Sequence, residues 1–328
     1  MLTFLKKVPM AMCGLILGIA SLGNLFVAEK MTVVSNVCGV ISMLMIALII
    51  LKVLFAFNSV ATELQNPVAA STFPTFTMAL MVISTYWGRW GFHNFGLTLW
   101  CIAIVIHLSI TAIFVYLHLL KPAVKMKHVY PSWFVTFVGI GVAPVTAAQF
   151  LPNVGKILLY VALAFYAVLL PIILWRLYSE REMPEGTLPL ITITAAPASL
   201  CLTGYLLSFT TINSIFAISL GILAQILYFG TLLAMARIYI SAEHSLIKFY
   251  PSFAAFTFPL VISSTGLYYL SQRIAGLHTW GTGLALAEQT IASLMIVYVL
   301  FQYGKFLYGL FVQSLHETDH VMEMTENK

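Results

Sequence analysis

From residue 189 to residue 236 the chain contains no Asp, Glu, Lys or Arg. A water-facing fold carries charge along its whole surface, and about a quarter of the residues in ordinary soluble domains are charged. Here 8% are charged, 61% are hydrophobic, and the mean hydropathy is +0.97. Further uncharged stretches run over 9–28, 74–88, 131–155 and 251–272. Because about 20 apolar residues carry a helix across the hydrocarbon, the fold class is an all-α polytopic membrane protein. No sizeable soluble domain is expected.

Charge and turn signals divide the chain into ten spans, near 9–28, 32–57, 72–88, 95–120, 131–150, 156–178, 189–207, 211–238, 251–270 and 281–312. The first has a basic start resembling a signal peptide, but its apolar run extends to Ala28, longer than a leader needs. With the N-terminus cytoplasmic, twelve of the sixteen Lys and Arg residues fall inside, and only Lys30, Arg89, Lys156 and Arg273 fall outside. That bias places both termini in the cytoplasm and accounts for the net charge of +5 without nucleic acid. Lys52 and Arg237, near cytoplasmic ends, are expected to snorkel to the interface. The four cysteines sit in apolar spans at unrelated spacings and predict neither disulfides nor a metal site.

Each odd-numbered span opens with a proline, at Pro9, Pro74, Pro131, Pro189 and Pro251. A proline suits a helix start, where its missing N–H has no partner to lose. Two spans fit each interval, so the repeating unit is a helical hairpin, over 9–57, 72–120, 131–178, 189–238 and 251–312. The chain then divides into one membrane domain, 1–315, and a polar cytoplasmic tail, 316–328. The odd spans also hold helix breakers and hydroxyls: Gly14 and Gly18, Gly139 and Pro144, Pro197, Pro259, with Thr136, Thr194 and Thr257 among the hydroxyls. Broken backbone is tolerated in a membrane where it is buried in protein or lines a wet cavity. Five odd helices ringed by five even ones would meet that condition, enclosing a narrow conduit without fixed charge.

Several stretches, in order along the chain, resemble the tellurite-resistance/dicarboxylate-transporter family of TehA-like channels, to which plant slow anion channels belong. They are CGLILG from Cys13, HVYPSWF from His128, TAAPAS from Thr194 and AAFTFPL from Ala254. The resemblance implies ten helices as five hairpins in quasi-fivefold order around a central pore, and a homotrimer with one pore per subunit. It implies a phenylalanine plug, which the F-x-F-P alignment puts at Phe258. The chain departs from the family pattern at Ile16 and Thr136, where prolines are frequent. Phe256 lies roughly 200° away around a helix and is expected to pack against a neighbour.

A conduit without carboxylates offers no cation-selective ring. Basic residues at the cytoplasmic mouth would enrich anions, and kinked helices expose N–H and hydroxyl donors. The function expected is passage of small, easily dehydrated inorganic or organic anions through the inner-membrane bilayer, with no cofactor and no metal. A secondary exporter of dicarboxylate, sulfite or tellurite is the alternative. Glu288 and His107, ionisable groups inside spans, would serve such a carrier. Residues 316–320, HETDH, spell the zinc-protease motif. In a terminal acidic tail without a third ligand it reads as solvated sequence rather than as an enzyme.

Overall fold

The computed structural model describes residues 2–121, 125–180, 182–241 and 248–326, without the side chains of 238–241 and 317–326. All regular structure among these residues is helical. The main helices are α1 (Met12–Ala28), α2 (Thr32–Phe55), α3 (Thr75–Arg89), α4 (His93–Phe114), α5 (Trp133–Phe137), α6 (Val142–Thr146), α7 (Pro152–Ser179), α8 (Ala196–Ser208), α9 (Ser214–Ser241), α10 (Phe258–Arg273) and α11 (His278–Glu326). Eight helical stretches are long and apolar enough to cross a membrane. Of the remaining expected spans, α1 is a shorter apolar helix of 17 residues. The other is broken into α5, a 3₁₀ turn at Gly139–Gly141, α6 and a second 3₁₀ turn.

Burial alternates along the chain. The apolar stretches of Pro67–Arg89, Glu185–Ser208 and Pro251–Arg273 are 78%, 83% and 83% buried, whereas those containing α2, α4, α7, α9 and α11 are 28% to 33% buried. Leu44, Val105, Val168, Ile226 and Leu294 are among the exposed apolar side chains of the second set. In water such faces would collapse together; in a bilayer they are already solvated. The buried set touches in sequence: α1 packs on α3, α3 on α6, α6 on α8, α8 on α10, and α10 on α1. Close approach of α1 and α10 requires glycine, since a Cβ at Gly18 would stand 2.6 Å from Thr257 Cβ.

The breaks in the buried segments follow from their prolines. Before α8 the chain is 3₁₀ over Glu185–Ala195, and before α10 it is 3₁₀ over Pro251–Phe256. Pro197 and Pro259 then occupy the first turn of the following α-helix, where no N–H is required. Pro259 nonetheless deprives the Ala255 carbonyl, four residues back, of its usual donor. The Thr192 hydroxyl stands 2.7 Å from that oxygen and 2.8 Å from the Pro189 carbonyl, so its one proton serves both. The bend therefore lies at Thr257, ahead of Pro259, and is secured from the neighbouring segment.

Three expectations need correction. Lys52 does not snorkel: it is 1% exposed, and its Nζ donates to Glu63 Oε2 at 2.7 Å and to the Val8 carbonyl at 2.5 Å. Burying an ammonium is tolerable only with such partners. A proline start is not peculiar to the odd spans, because Pro152 opens α7. The last helix does not stop at 312, and its backbone runs to Glu326.

Thr192 gives the bend a direct test. Thr192→Val removes the only side-chain donor to the Ala255 carbonyl among the described residues and should destabilise the protein by roughly 1–3 kcal/mol. Thr192→Ser should stay near the parent. Thermal unfolding of the purified protein in detergent reads the difference, and equal losses in both variants would refute the role given to the hydroxyl.

Candidate functional site

Among the described residues, the buried segments line two chambers that bear on the site. The larger, about 580 Å³, is lined by Ala11, Gly14 and Leu17 from the first segment, Thr72, Thr75 and Met78 from the third, and Phe134, Val138 and Gly139 from the fifth. Leu190, Pro197 and Leu200 line it from the seventh, and Ala254, Phe258 and Pro259 from the ninth. The smaller, about 220 Å³, is lined by the same five segments further along, including Ser21, Val82, Val142, Leu207 and Ile262. Two residues line both chambers, Phe258 and Leu200. In four segments the lining passes from one chamber to the next within three or four residues: Leu17 to Ser21, Met78 to Val82, Gly139 to Val142, and Pro259 to Ile262. The wall between the chambers is thus about one helical turn thick.

Phe258 begins α10 directly after the bend at Thr257, whose φ and ψ are −96° and −76°. It is 7% exposed. Phe256 is also buried but lines neither chamber; its ring packs on Phe253 at 5.2 Å between centroids. Among the other expected lining residues, Gly14, Gly139, Pro197 and Pro259 line the larger chamber. Gly18 faces Thr257, and Pro144 packs against Gly204 and Gly155, so both serve helix contact instead.

The hydroxyls expected to meet an ion are engaged elsewhere. Thr136 Oγ1 donates to the Ser71 carbonyl at 3.0 Å and Thr194 Oγ1 to that of Ile191 at 2.7 Å. Thr257 Oγ1 lies 2.7 Å from the Ala254 carbonyl and 3.0 Å from that of Gly14. None of the three lines a chamber. Inside a membrane a free carbonyl is a stronger claim on a hydroxyl than a transient ligand is. The hydroxyl-bearing residues that do line the chambers are Thr62, Thr72, Thr75, Thr187 and Ser252 on one side and Ser21, Thr85, Thr146, Thr265 and Tyr269 on the other. Ser252 Oγ is buried without a hydrogen-bond partner.

Nor is the space free of charge. Glu63 reaches the larger chamber from the short helix Phe57–Glu63, and Arg89, the last residue of α3, lines the smaller. Glu63 is balanced by Lys52, and its Oε1 accepts the Met10 N–H at 2.9 Å. A stretch that reads as a polar connection in sequence thus folds back against the mouth. Its sequence signal is a single carboxylate in the connection between α2 and α3.

His107 and Glu288 line neither chamber. His107 Nδ1 pairs with Thr77 Oγ1 at 2.8 Å, tying α4 to α3. Glu288 is 1% exposed, faces Gln225 and Ser263, and neither carboxyl oxygen makes a hydrogen bond. Of the HETDH stretch, His316 is exposed and the side chains of Glu317, Asp319 and His320 lie outside the described residues. No group of three metal-ligating side chains occurs among the described residues.

An uncharacterized transporter of Methanocaldococcus jannaschii is 22% identical over 157 residues, covering 44% of this chain and 45% of that protein. The chain thus spans under half the length of that relative in the match. A far longer correspondence, over residues 7–303, is with the family described as voltage-dependent anion channels. It takes in every buried segment, both chambers and most of α11, and the chain belongs to that SLAC1 family of membrane anion-transport proteins.

Proposed function

We propose that the protein is an anion channel whose closed gate is Phe258. One observation carries this reading: Phe258, with Leu200, is the partition between two chambers built from the same five segments. A ring in that position leaves no wet path, and a dry constriction stops ions whose bare radius would pass. The ten expected spans form five hairpins in quasi-fivefold order, with α1, α3, the α5–α6 segment, α8 and α10 as the inner ring. This reading rests on the cyclic packing and the alternating burial. The weakly polar lining favours anions that shed water readily. The outer apolar faces suit lipid and neighbouring copies, and a homotrimer in the inner membrane belongs to the same proposal. So do cytoplasmic termini, a single membrane domain over 1–315 and a non-catalytic tail.

A carrier on the same fold, exporting dicarboxylate, sulfite or tellurite, is favoured by one feature, the buried carboxyl of Glu288. It faces Ser263 on α10, the helix that begins with Phe258. Glu288→Gln should leave flux and its pH dependence unchanged if the residue only packs. A pH-dependent flux that vanishes in this variant would establish the carrier.

Truncating the ring should open the partition. Phe258→Ala should raise basal anion conductance many-fold, with selectivity following ease of dehydration, and Phe258→Leu should be intermediate. Phe256→Ala should instead cost roughly 3–5 kcal/mol of stability, as for a fully buried ring. Bilayer currents at matched protein amount decide this: a silent Phe258→Ala refutes the gate, and conduction by Phe256→Ala alone assigns it to the wrong ring.

The orientation is tested separately. In intact cells Gln65→Cys should resist an impermeant thiol reagent and Asn94→Cys should react. The opposite pattern would invert the topology.

A further inference from the structure

The smaller chamber contains one charged side chain, Arg89, and no carboxylate. Arg89 makes no ion pair among the described residues. Its Nη1 donates to Thr85 Oγ1 at 3.2 Å, and its Cζ lies 4.2 Å from the centroid of the Tyr86 ring. Tyr86 is itself fixed, donating from its hydroxyl to the Ala20 carbonyl at 2.7 Å. Nη2 is buried and has no hydrogen-bond partner. Arg89 as a whole is half-buried, but an unmade hydrogen bond on a desolvated guanidinium nitrogen is costly, so a guanidinium held over Tyr86 with an idle Nη2 points to a ligand.

The surroundings are built for a small anion. Thr85 Oγ1 donates to the Val82 carbonyl at 2.7 Å and accepts from Asn24 Nδ2 at 3.1 Å as well as from Arg89. That hydroxyl therefore holds an amide donor and the guanidinium side by side at the chamber wall. Gln149 contributes a second amide to the lining and Ser21 a hydroxyl, whereas the protons of Thr146 and Thr265 go to the Val142 and Val261 carbonyls. A free arginine at a helix end would extend to the interface; this one is folded over Tyr86 and turned inward.

We propose that the smaller chamber holds an anion-binding site in which Arg89 supplies the charge and Asn24 and Gln149 supply neutral donors. Its ligand is a small monovalent inorganic anion. A single guanidinium matches one negative charge, and about 220 Å³ leaves room for the ion and a few waters but little for an extended dicarboxylate. As a resting point beyond Phe258, the site rests on the channel reading; as a binding site it does not. Arg89 would determine how anions enter from the side of the smaller chamber, whereas Glu63, neutralised by Lys52, leaves the larger chamber without net attraction.

Two arms test this on the full-length protein. In the first, the melting temperature of purified protein is measured in sodium iodide against sodium gluconate at matched ionic strength. The parent should be stabilised by iodide, and Arg89→Gln should lose that response. Asn24→Asp, which keeps the shape of the site but sets a carboxylate beside the guanidinium, should lose it too, and it carries the test if Arg89→Gln fails to fold. In the second, both substitutions are placed in the Phe258→Ala background, and conductance is followed as anion concentration rises on the smaller-chamber side. The half-saturating concentration should rise about tenfold, the lower end of what a focused charge supplies, with Arg89→Lys retaining part of the affinity. Unchanged iodide stabilisation together with unchanged half-saturation would overturn the site. A silent Phe258→Ala channel beside an intact iodide response would sink the gate and keep the site. Loss of response to an anionic lipid headgroup, with iodide behaviour unaltered, would reassign Arg89 to the bilayer surface and also overturn the proposal.

Discussion

Hydrocarbon offers no partner for a bare peptide group, and the rest of this structure depends on how that constraint is met. Four of the five buried segments are interrupted by 3₁₀ turns or prolines, and each interruption frees backbone donors or acceptors. Hydroxyls answer them at close range. Thr77 serves the Pro74 carbonyl, Thr194 that of Ile191, and Thr192 reaches across to Ala255. Interruptions of this kind can exist only in the interior of a bundle, so the outer helices are not merely a scaffold. They exclude lipid from backbone that lipid could not satisfy.

Electrostatics sharpen the contrast between the two ends of the enclosed space. At one end an ion pair, Lys52 with Glu63, fastens the connection between α2 and α3 to the residues just before α1 through the Val8 carbonyl and the Met10 N–H. Removing Glu63 would leave the Lys52 ammonium buried and without its counter-charge, a far larger loss than a surface pair would cause, whereas Glu63 itself is partly exposed. At the other end Arg89 stands without a counter-charge over an aromatic face. The two charges closest to the pathway are therefore used differently, one to hold the fold and one left available.

Much of the architecture was legible in the sequence because a bilayer imposes a coarse code of uncharged length and basic asymmetry. The F-x-F-P stretch also separated Phe258 from Phe256, since two residues apart on a helix face opposite ways. What escaped was long-range. Nothing local says that Glu63 reaches back 53 residues to Met10, or that Lys52 turns inward rather than out. The threonines misled for a simpler reason. Thr136, Thr194 and Thr257 have the donor an anion needs, but periodicity cannot reveal that each already faces a carbonyl. In sequence Arg89 was only one of four basic residues on the outer side, and its contact with Tyr86 and its idle Nη2 show that it is turned inward.

The thinness of the partition has an electrical consequence. Water in the two chambers would act as a conductor on either side of a single insulating turn. A membrane voltage then falls across about 6 Å rather than across the full hydrocarbon thickness of about 30 Å. The local field at the Phe258 ring would be roughly five times the bilayer average. An anion crossing the ring would traverse almost the whole applied potential, about 2.3 kcal/mol per 100 mV, in moving the width of one side chain.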